Sequence, residues 1–349
     1  MIFFDTTKTG SARHRSGLTR VSSRLRAELG ESATAATWNP TARRLQPAGG
    51  RLPERDDWFL TSELFSELER PGFTSFIESR PMRLAAIFHH AIPLKHPHFT
   101  WPQSVARHPG YMKLLARFDR VWAVSHASRE ELLGFWKWQG LEQAPPVEVL
   151  ALGADFAATP RVTTRPLPAG ARLLCVGILE PRKNQALLLE TCEELWAEGL
   201  GFELDVVGRI NPHFGKPIAA RLATLQRRRR AVLRFHPAAS DETVRRLYAS
   251  ARASVFPTLA EGCGLPLLES LWLGVPCICS DLPVLRENAG GGGCLTVATH
   301  DPAAWKSALR TLLTGDALIA RLTAEAAARP LPTWQDAAAT VASALRTTR

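Results

Sequence analysis

The sequence has few of the features that mark secreted, membrane-spanning or metal-binding proteins. Its 349 residues include only six cysteines, with no Cys-x-x-Cys pair and no histidine cluster at metal-ligand spacing, so we predict reduced core thiols and no metal site. No apolar run approaches the roughly 20 residues that span a bilayer. The first residues lack the basic start and long apolar stretch of a signal peptide. We therefore expect a cytoplasmic protein that can contact the inner membrane face through basic surface.

The composition is that of a folded chain with more basic than acidic residues. Apolar residues make up 45% and charged residues 22%, which excludes a mostly disordered or collagenous protein. At roughly 150 residues per domain, the length predicts about two domains. The net charge of +10 favours an anionic partner. The densest basic run, Arg227–Arg230, closes a predicted helix, where cations complement the helix dipole, so we expect no nucleic-acid partner.

The second half of the chain alternates short apolar runs with longer amphipathic segments, the pattern of a parallel sheet wrapped by helices. Asn184 and Ser240 are candidate N-caps. The predicted strands cover residues 173–176, 204–207, 232–235, 253–256, 277–279 and 295–297. The predicted helices lie around residues 184–199, 215–230, 241–251, 265–273, 282–288 and 302–313. This pattern predicts a doubly wound α/β domain.

The first half is less regular but has strands of the same kind. We predict strands at residues 1–4, 84–88, 120–124 and 147–150, a helix at residues 16–28, a loop at residues 31–57 and a linker at residues 157–170. Several strands end at polar residues, among them His89 and His90. Polar residues at strand carboxyl ends are expected where a parallel sheet faces a ligand crevice.

Two segments of the second half carry candidate chemistry. In the first, a strand ending at Phe256 leads through Glu261 and a glycine-flanked loop into a helix that contains Glu269. Helix-start amides bind anions, whereas carboxylates accept hydrogen bonds from hydroxyl groups, so the two glutamates suit a sugar or ribose better than a phosphate. In the second, Arg182 and Lys183 follow a strand, where two cations suit a diphosphate.

The order of these segments resembles the donor domain of the retaining nucleotide-sugar glycosyltransferases of glycosyltransferase family 4. The matching residues are Gly177–Asn184, Gly208-Arg209, Ser240–Thr258 and Glu261–Cys294 in the second half, and Ser16–Val21, Phe88–Leu94, Val124-Ser125 and Leu152–Asp155 in the first. The resemblance implies the GT-B fold, in which two Rossmann-like doubly wound domains face each other across a cleft. Residues 1–160 would bind the acceptor and residues 171–330 the nucleotide-sugar donor. A helix in residues 331–349 would cross back to the first domain.

The resemblance also implies roles for individual residues. Lys183 would contact the donor diphosphate, Glu269 the ribose hydroxyls, and Glu261 the transferred hexose, with His89 beside it. Ile178 stands where many relatives have an arginine. His90 and Cys263 also depart from the family pattern, at positions that bear on acceptor and sugar specificity. The remaining donor-binding candidates are Arg182, Arg209, Gly262, Cys263, Gly264, Leu265 and Gly17, of which Arg182 and Arg209 are the cations that could replace the missing arginine.

The function implied by the resemblance is transfer of a hexose to a hydroxyl group of a surface polysaccharide or lipid-linked glycan, with retained anomeric configuration. We favour mannose and a GDP-linked donor, and we expect neither a cofactor nor a metal ion, since no Asp-x-Asp motif is present. A UDP-sugar or dTDP-rhamnose donor, or a synthase acting on a soluble sugar phosphate, are alternatives within enzymes. A non-catalytic basic nucleotide-binding protein that docks on an anionic membrane or on nucleic acid is the alternative of another class.

Overall fold

The chain forms two compact units. The structure, a computed structural model, describes residues 1–11, 16–141, 143–168 and 170–347. Unit 1 comprises Met1–Gly153 and Pro332–Arg349, and unit 2 comprises Ala154–Leu331. Residues 154–160, which the resemblance assigns to the first domain, group with unit 2. A contact that ties them there is the bond from the Trp272 indole N–H to the carbonyl of Thr159, at 2.9 Å.

Unit 1 is built on a seven-stranded sheet. Its strands are β1 (Ile2–Asp5), β2 (Ala33–Asn39), β3 (Arg44–Pro47), β4 (Trp58–Thr61), β5 (Arg83–Phe88), β6 (Arg120–Ala123) and β7 (Val147–Val149). Its helices up to residue 153 are α1 (Gly17–Leu29), α2 (Phe73–Ser79), α3 (Ile92–Lys95), α4 (Pro102–Leu115) and α5 (His126–Trp138). The strand order is β3-β2-β1-β4-β5-β6-β7. All neighbours are parallel except β2 and β3, and the central strands β1, β4 and β5 are buried almost throughout, as a sheet covered on both faces requires.

The structure corrects the predicted loop at residues 31–57, which contains the strands β2 and β3. The segment Ala33–Asn39 is rich in alanine and threonine and has one large apolar side chain, Trp38, so it lacks an apolar run that would predict a strand. Main-chain pairing with β1 holds it in the sheet. Trp38 anchors it, packing edge-on against Phe73 at a ring distance of 5.0 Å. The strand β4 (Trp58–Thr61) was not predicted either, although it is apolar.

Unit 2 is built on a six-stranded, fully parallel sheet in the order β10-β9-β8-β11-β12-β13. Its strands are β8 (Arg172–Val176), β9 (Glu203–Val207), β10 (Leu233–His236), β11 (Ala253–Phe256), β12 (Cys277–Ser280) and β13 (Cys294–Val297). Its helices are α6 (Gln185–Ala197), α7 (Lys216–Arg228), α8 (Asp241–Ser250), α9 (Leu265–Trp272), α10 (Pro283–Ala289), α11 (Pro302–Thr314) and α12 (Asp316–Ala328). The six predicted strands and six predicted helices are confirmed, with ends that differ by a few residues, whereas α12 was not predicted.

The two predicted N-caps behave differently. The Ser240 side chain accepts a hydrogen bond from the Thr243 amide at 3.2 Å and caps α8. Asn184 precedes α6 in the left-handed conformation, with φ at 52°, and its side chain makes no cap bond. Asparagine tolerates that conformation better than most residues. Asn184 therefore serves the turn before the helix rather than the helix itself.

Both sheets reverse their winding direction beside their first strand, β1 in unit 1 and β8 in unit 2. In unit 2, β9 and β11 lie on either side of β8 and their helical connections run in opposite directions. Ligands of doubly wound sheets bind at the carboxyl ends of the strands next to such a point. In unit 2, residues 177–184 follow β8 there and residues 257–264 follow β11. The chain topology thus brings the two motifs to one place.

The last helix, α13 (Trp334–Thr347), belongs to unit 1. It packs against α1, and the indole N–H of Trp58 donates to the carbonyl of Leu345 at 2.8 Å. No helix formed by the described residues is long and apolar enough to cross a bilayer. All six cysteines are free thiols, four of them buried and two, Cys263 and Cys294, half-buried.

Candidate active site

The carboxyl ends of β8 and β11 bring the predicted lysine and the first predicted glutamate into contact. The Lys183 ammonium pairs directly with Oε1 of Glu261, although 78 residues separate the two in sequence. Both side chains are about nine-tenths buried. The ammonium also lies 4.9 Å from the centre of the Phe256 ring, within the range of a cation–π contact.

Three donors converge on the same Glu261 oxygen. Besides Lys183, the Arg182 guanidinium lies 3.1 Å from Oε1 and the Thr258 hydroxyl donates to it at 3.0 Å. Burial disfavours the charged carboxylate, but attraction to Lys183 and Arg182 outweighs it and holds the pKa of Glu261 below its usual value. Burial also lowers the pKa of Lys183, and the attraction of Glu261 offsets this only in part. Glu261 is therefore an anion at neutral pH.

The turn after β8 is held tightly against the turn after β9. Gly208 has φ at 150°, and a Cβ there would lie 1.9 Å from the carbonyl oxygen of Gly177, so no other residue fits without moving the backbone. The Gln185 amide donates to the carbonyl of Ile178 at 2.9 Å and fixes the start of the turn. Lys183 ends a short 3₁₀ segment, Pro181–Lys183. Its side chain is thereby directed toward the end of β11.

The glycine-flanked loop and the second glutamate lie at the start of α9. Gly264 precedes α9 with φ at 83°, and a Cβ there would lie 2.6 Å from a methyl carbon of Leu285. The Asn288 side chain donates to the carbonyl of Cys263. Glu269, four residues into α9, is only 3% exposed. The loop and Glu269 therefore have fixed positions on one helix.

The remaining unit 2 candidates differ in their surroundings. Gly262 and Leu265 are buried in the loop and at the first position of α9. Burial raises the pKa of the Cys263 thiol to about 12, so this thiol is neutral and a poor nucleophile. Arg209 is half-buried directly after Gly208, and its carbonyl accepts from the Leu179 amide at 2.9 Å. Its guanidinium has no ion-pair partner among the described residues.

In unit 1, His89 follows β5 and is 8% exposed. Its Nε2 lies 2.7 Å from the carbonyl oxygen of Ser62. Because a carbonyl can only accept, Nε2 carries the proton of the neutral ring. Burial lowers the pKa of His89, so the imidazole is uncharged at neutral pH. Gly17 is the first residue of α1, directly after Ser16, which caps that helix.

A buried ion network holds the loop after β1. The Arg70 guanidinium donates to Asp5 at 2.7 Å and to Glu63, and all three side chains are essentially inaccessible to solvent. Glu63 in turn accepts from the amides of Lys8 and Thr9 at 2.9 and 2.7 Å. The network joins the ends of β1 and β4, the neighbouring strands at the reversal point of this sheet. Within the described part of the chain, no group of three His, Cys, Asp or Glu side chains is arranged to hold a metal ion.

Comparison with known families identifies the domain that carries the Lys183–Glu261 pair. Residues 170–315 match the family described as Glycosyl transferases group 1. The chain contains a glycosyl transferases group 1 domain. This domain spans the sheet of unit 2 and both motifs, and the resemblance noted in the sequence is confirmed at this level.

Curated relatives extend the similarity beyond the domain. The serotype-specific mannosyltransferase WbdA of Escherichia coli is 30% identical over 267 residues, which are 68% of this chain and 31% of the relative. The O-antigen chain mannosyltransferase B of Escherichia coli is 32% identical over 131 residues, which are 34% of this chain and 31% of the relative. The chain spans about a third of the length of these relatives.

Solved structures show the same fold over the whole chain. The HepE protein of Anabaena, solved in complex with UDP, superposes with a TM-score of 0.71 at 13% identity and covers 99% of both chains. At that identity the likeness concerns the fold. The predicted fold class, two Rossmann-like α/β domains of the kind found in GT-B glycosyltransferases, is confirmed.

Sequence reasoning missed several residues that organise the site. Glu180, Asn211, Thr258 and Asn288 all bond to the predicted motif residues or to their backbone. Glu180 and Thr258 lie within three positions of a predicted residue, so proximity in the sequence was a usable signal. Asn211 and Asn288 come from other turns and gave no such signal.

Proposed function

We propose that the protein is a retaining glycosyltransferase that transfers a hexose from a nucleotide sugar to a hydroxyl group of a surface polysaccharide or lipid-linked glycan. The group 1 domain and the names of the mannosyltransferases that resemble the chain support this proposal. Those relatives favour mannose, and we retain GDP as the favoured nucleotide. The positive net charge of +10 suits peripheral contact with an anionic membrane that carries a lipid-linked acceptor.

The buried Lys183–Glu261 pair is the observation on which this proposal chiefly depends. A buried ion pair often stabilises a fold no more than apolar residues of the same size would, and groups with perturbed pKa values are common at functional sites. Lys183 has three N–H donors and one acceptor among the described residues, so it can also bind a phosphate oxygen. Glu261 can accept from sugar hydroxyl groups, and Glu269 from those of the ribose.

The proposed mechanism breaks the bond between the anomeric carbon and the donor phosphate oxygen. Negative charge gathers on the departing diphosphate, where Lys183 and the half-buried Arg209 stabilise it without the help of a metal ion. The acceptor oxygen bonds to the anomeric carbon from the face that the diphosphate leaves, and its proton passes to a phosphate oxygen. Attack on that face retains the anomeric configuration.

We also propose, from the family resemblance, that His89 contacts the transferred hexose. Its neutral ring, held by Ser62 through Nε2, has Nδ1 as its acceptor atom. A hydroxyl group of the hexose is the expected donor to Nδ1. His89→Ala should therefore lower kcat more than it weakens binding of the free nucleotide.

A thermal-shift panel of GDP, UDP, dTDP and ADP with their sugars, followed by a transfer assay, tests the function. Specific ligands stabilise the folded state by mass action, so one nucleotide family should raise the melting temperature of the wild type. Glu269→Gln, which keeps the size of a buried side chain, should abolish that rise. Transfer to a glycan with retained configuration would then complete the assignment. If no nucleotide stabilises the protein and RNA binds it in a salt-dependent manner, the non-catalytic alternative is correct.

A further inference from the structure

The Arg182 guanidinium is fully engaged by groups of its own unit. Nε donates to Oε1 of Glu180 at 3.0 Å, and Nη2 lies 2.8 Å from the same oxygen. Nη1 donates to the carbonyl of Ala260 at 2.8 Å and lies 3.1 Å from Oε1 of Glu261. Each of the three nitrogens thus faces an acceptor. Burial disfavours the charge, but Glu261 and Glu180 together raise the pKa of Arg182.

The Asn211 side chain fixes the position of Glu180, the carboxylate that pairs with Arg182. The Asn211 amide donates to Oε2 of Glu180 at 2.8 Å, while the Asn211 backbone N–H donates to the carbonyl of Leu179 at 3.0 Å. Glu180 therefore has one oxygen on Arg182 and the other on the turn after β9. Asn211, Glu180, Arg182 and Glu261 form a continuous chain of contacts across the ends of three strands.

The backbone joins the same two segments. The Arg182 carbonyl accepts from the Leu259 amide at 2.7 Å. Residues 180–183 and 258–261 are thus held together by main-chain and side-chain bonds. To reach a diphosphate, Arg182 would have to leave the buried Glu180 carboxylate without its guanidinium partner and leave Glu261 with Lys183 as its paired cation, and separating a buried charge from its partner is unfavourable.

We propose that Arg182 is a positioning residue that sets the location of the Glu261 carboxylate, and that it is not a ligand of the donor diphosphate. Glu180 and Asn211 orient Arg182 for this task. This role presupposes the proposed function, because Glu261 is the group that faces the hexose. It also decides between the two cations that could replace the arginine missing at Ile178, leaving Arg209 as the phosphate contact.

The positioning role and a phosphate-binding role of Arg182 can be distinguished by comparing the affinity for a nucleoside diphosphate with the affinity for the corresponding nucleotide sugar. We would measure dissociation constants by calorimetry for the nucleotide that the thermal-shift panel selects, GDP and GDP-mannose in the favoured case. Lys183→Ala should weaken both GDP and GDP-mannose, because the diphosphate that Lys183 contacts is present in both. Glu180→Gln and Arg182→Lys should weaken GDP-mannose about tenfold and change GDP less than about twofold. Glu180 is informative because a carboxylate does not bind a phosphate, so weaker binding of GDP-mannose by Glu180→Gln is not the loss of a phosphate contact.

The opposite pattern would overturn the positioning role. If Arg182→Lys weakens GDP as Lys183→Ala does, while Glu180→Gln binds both ligands like the wild type, Arg182 is a phosphate ligand. Binding of no nucleotide by the wild type would contradict the proposed function instead. In that case the effect of Arg182 on the position of Glu261 can be tested without any ligand, by measuring hydrogen–deuterium exchange of peptides covering residues 256–264. Glu180→Gln and Asn211→Ala should speed exchange there, and unchanged exchange in both variants would refute the role.

Discussion

Buried charged side chains in both units have partners that the strand order brings together, several of them more than 60 residues apart in the sequence. Arg70 joins Asp5 and Glu63 in unit 1, and Lys183 joins Glu261 in unit 2. The sequence could assign Lys183 and Glu261 to a diphosphate and a hexose separately, because each belongs to a local motif. Their mutual contact depends on the packing of β8 beside β11, so it could not be predicted from local pattern.

We expect the stability of the protein to depend on pH through the buried His108. His108 is 3% exposed, its Nε2 lies 3.0 Å from the carbonyl of His90, and burial lowers its pKa from 6.5 to about 4. Below pH 6.5 the unfolded chain binds a proton that the folded chain does not, so stability is lost as the pH falls from 6.5 toward 4. From pH 7 to pH 5 the loss due to His108 should be about 2 kcal/mol.

Denaturant unfolding at pH 7 and pH 5 measures this loss. His108→Gln keeps a donor toward His90 and removes the titrating ring, so the variant should lose about 2 kcal/mol less than the wild type over the same interval. His89, whose pKa burial also lowers, leaves a remaining dependence in both proteins. Equal losses in the two proteins would show that His108 does not titrate as described.

The strands of unit 2 were predictable from their apolar runs, whereas the strands β2, β3 and β4 of unit 1 were not predicted. The six strands of unit 2 were found because each contains a short apolar run, and the central strands β11 and β12 are buried throughout. In contrast, β2 has only Trp38 as a large apolar side chain and depends on pairing with β1. α12 follows α11 with only Gly315 between them, which left no break long enough to reveal a separate helix.

The start of α9 predicts a specific cost of substitution. Gly264→Ala should destabilise unit 2 for two reasons, a positive φ and a contact of 2.6 Å with Leu285. Gly199→Ala is the matched control, because Gly199 has nearly the same φ, 84°, and nothing within 4 Å of a Cβ. In denaturant unfolding the control should lose about 1 kcal/mol and Gly264→Ala clearly more. A loss no larger than that of the control would mean that Leu285 moves aside freely.

At the scale of the whole molecule, the last helix closes the first unit. α13 comes about 180 residues after Gly153 in the chain, yet it packs against α1 and accepts a hydrogen bond from Trp58. A Cβ on Gly153 would lie 2.3 Å from the Trp334 backbone nitrogen. The first residue of α13 therefore packs directly against Gly153, where the segment Met1–Gly153 of unit 1 ends. Unit 1 is therefore assembled from both ends of the described chain.

Trp334→Ala tests how much this helix contributes to unit 1. Trp334 is 2% exposed, and truncating a buried tryptophan costs about 3–5 kcal/mol. Trp138→Ala is the control in the same unit, because that ring is 77% exposed and its loss should change stability by no more than about 0.5 kcal/mol. Circular dichroism during denaturant unfolding measures both. Similar stabilities for the two variants would show that α13 is not part of the cooperative fold of unit 1.

The sequence by itself determined the six strands of unit 2, four strands of unit 1, the two motifs and the family that their order resembles. These features are local, since burial on both faces leaves an apolar run and a turn at a strand end leaves its glycines and charges in consecutive positions. The tertiary structure decided which of these groups meet. It paired Lys183 with Glu261, turned Arg182 toward Glu180 and brought α13 back to α1, because such contacts depend on strand order and packing between residues that are distant in the chain.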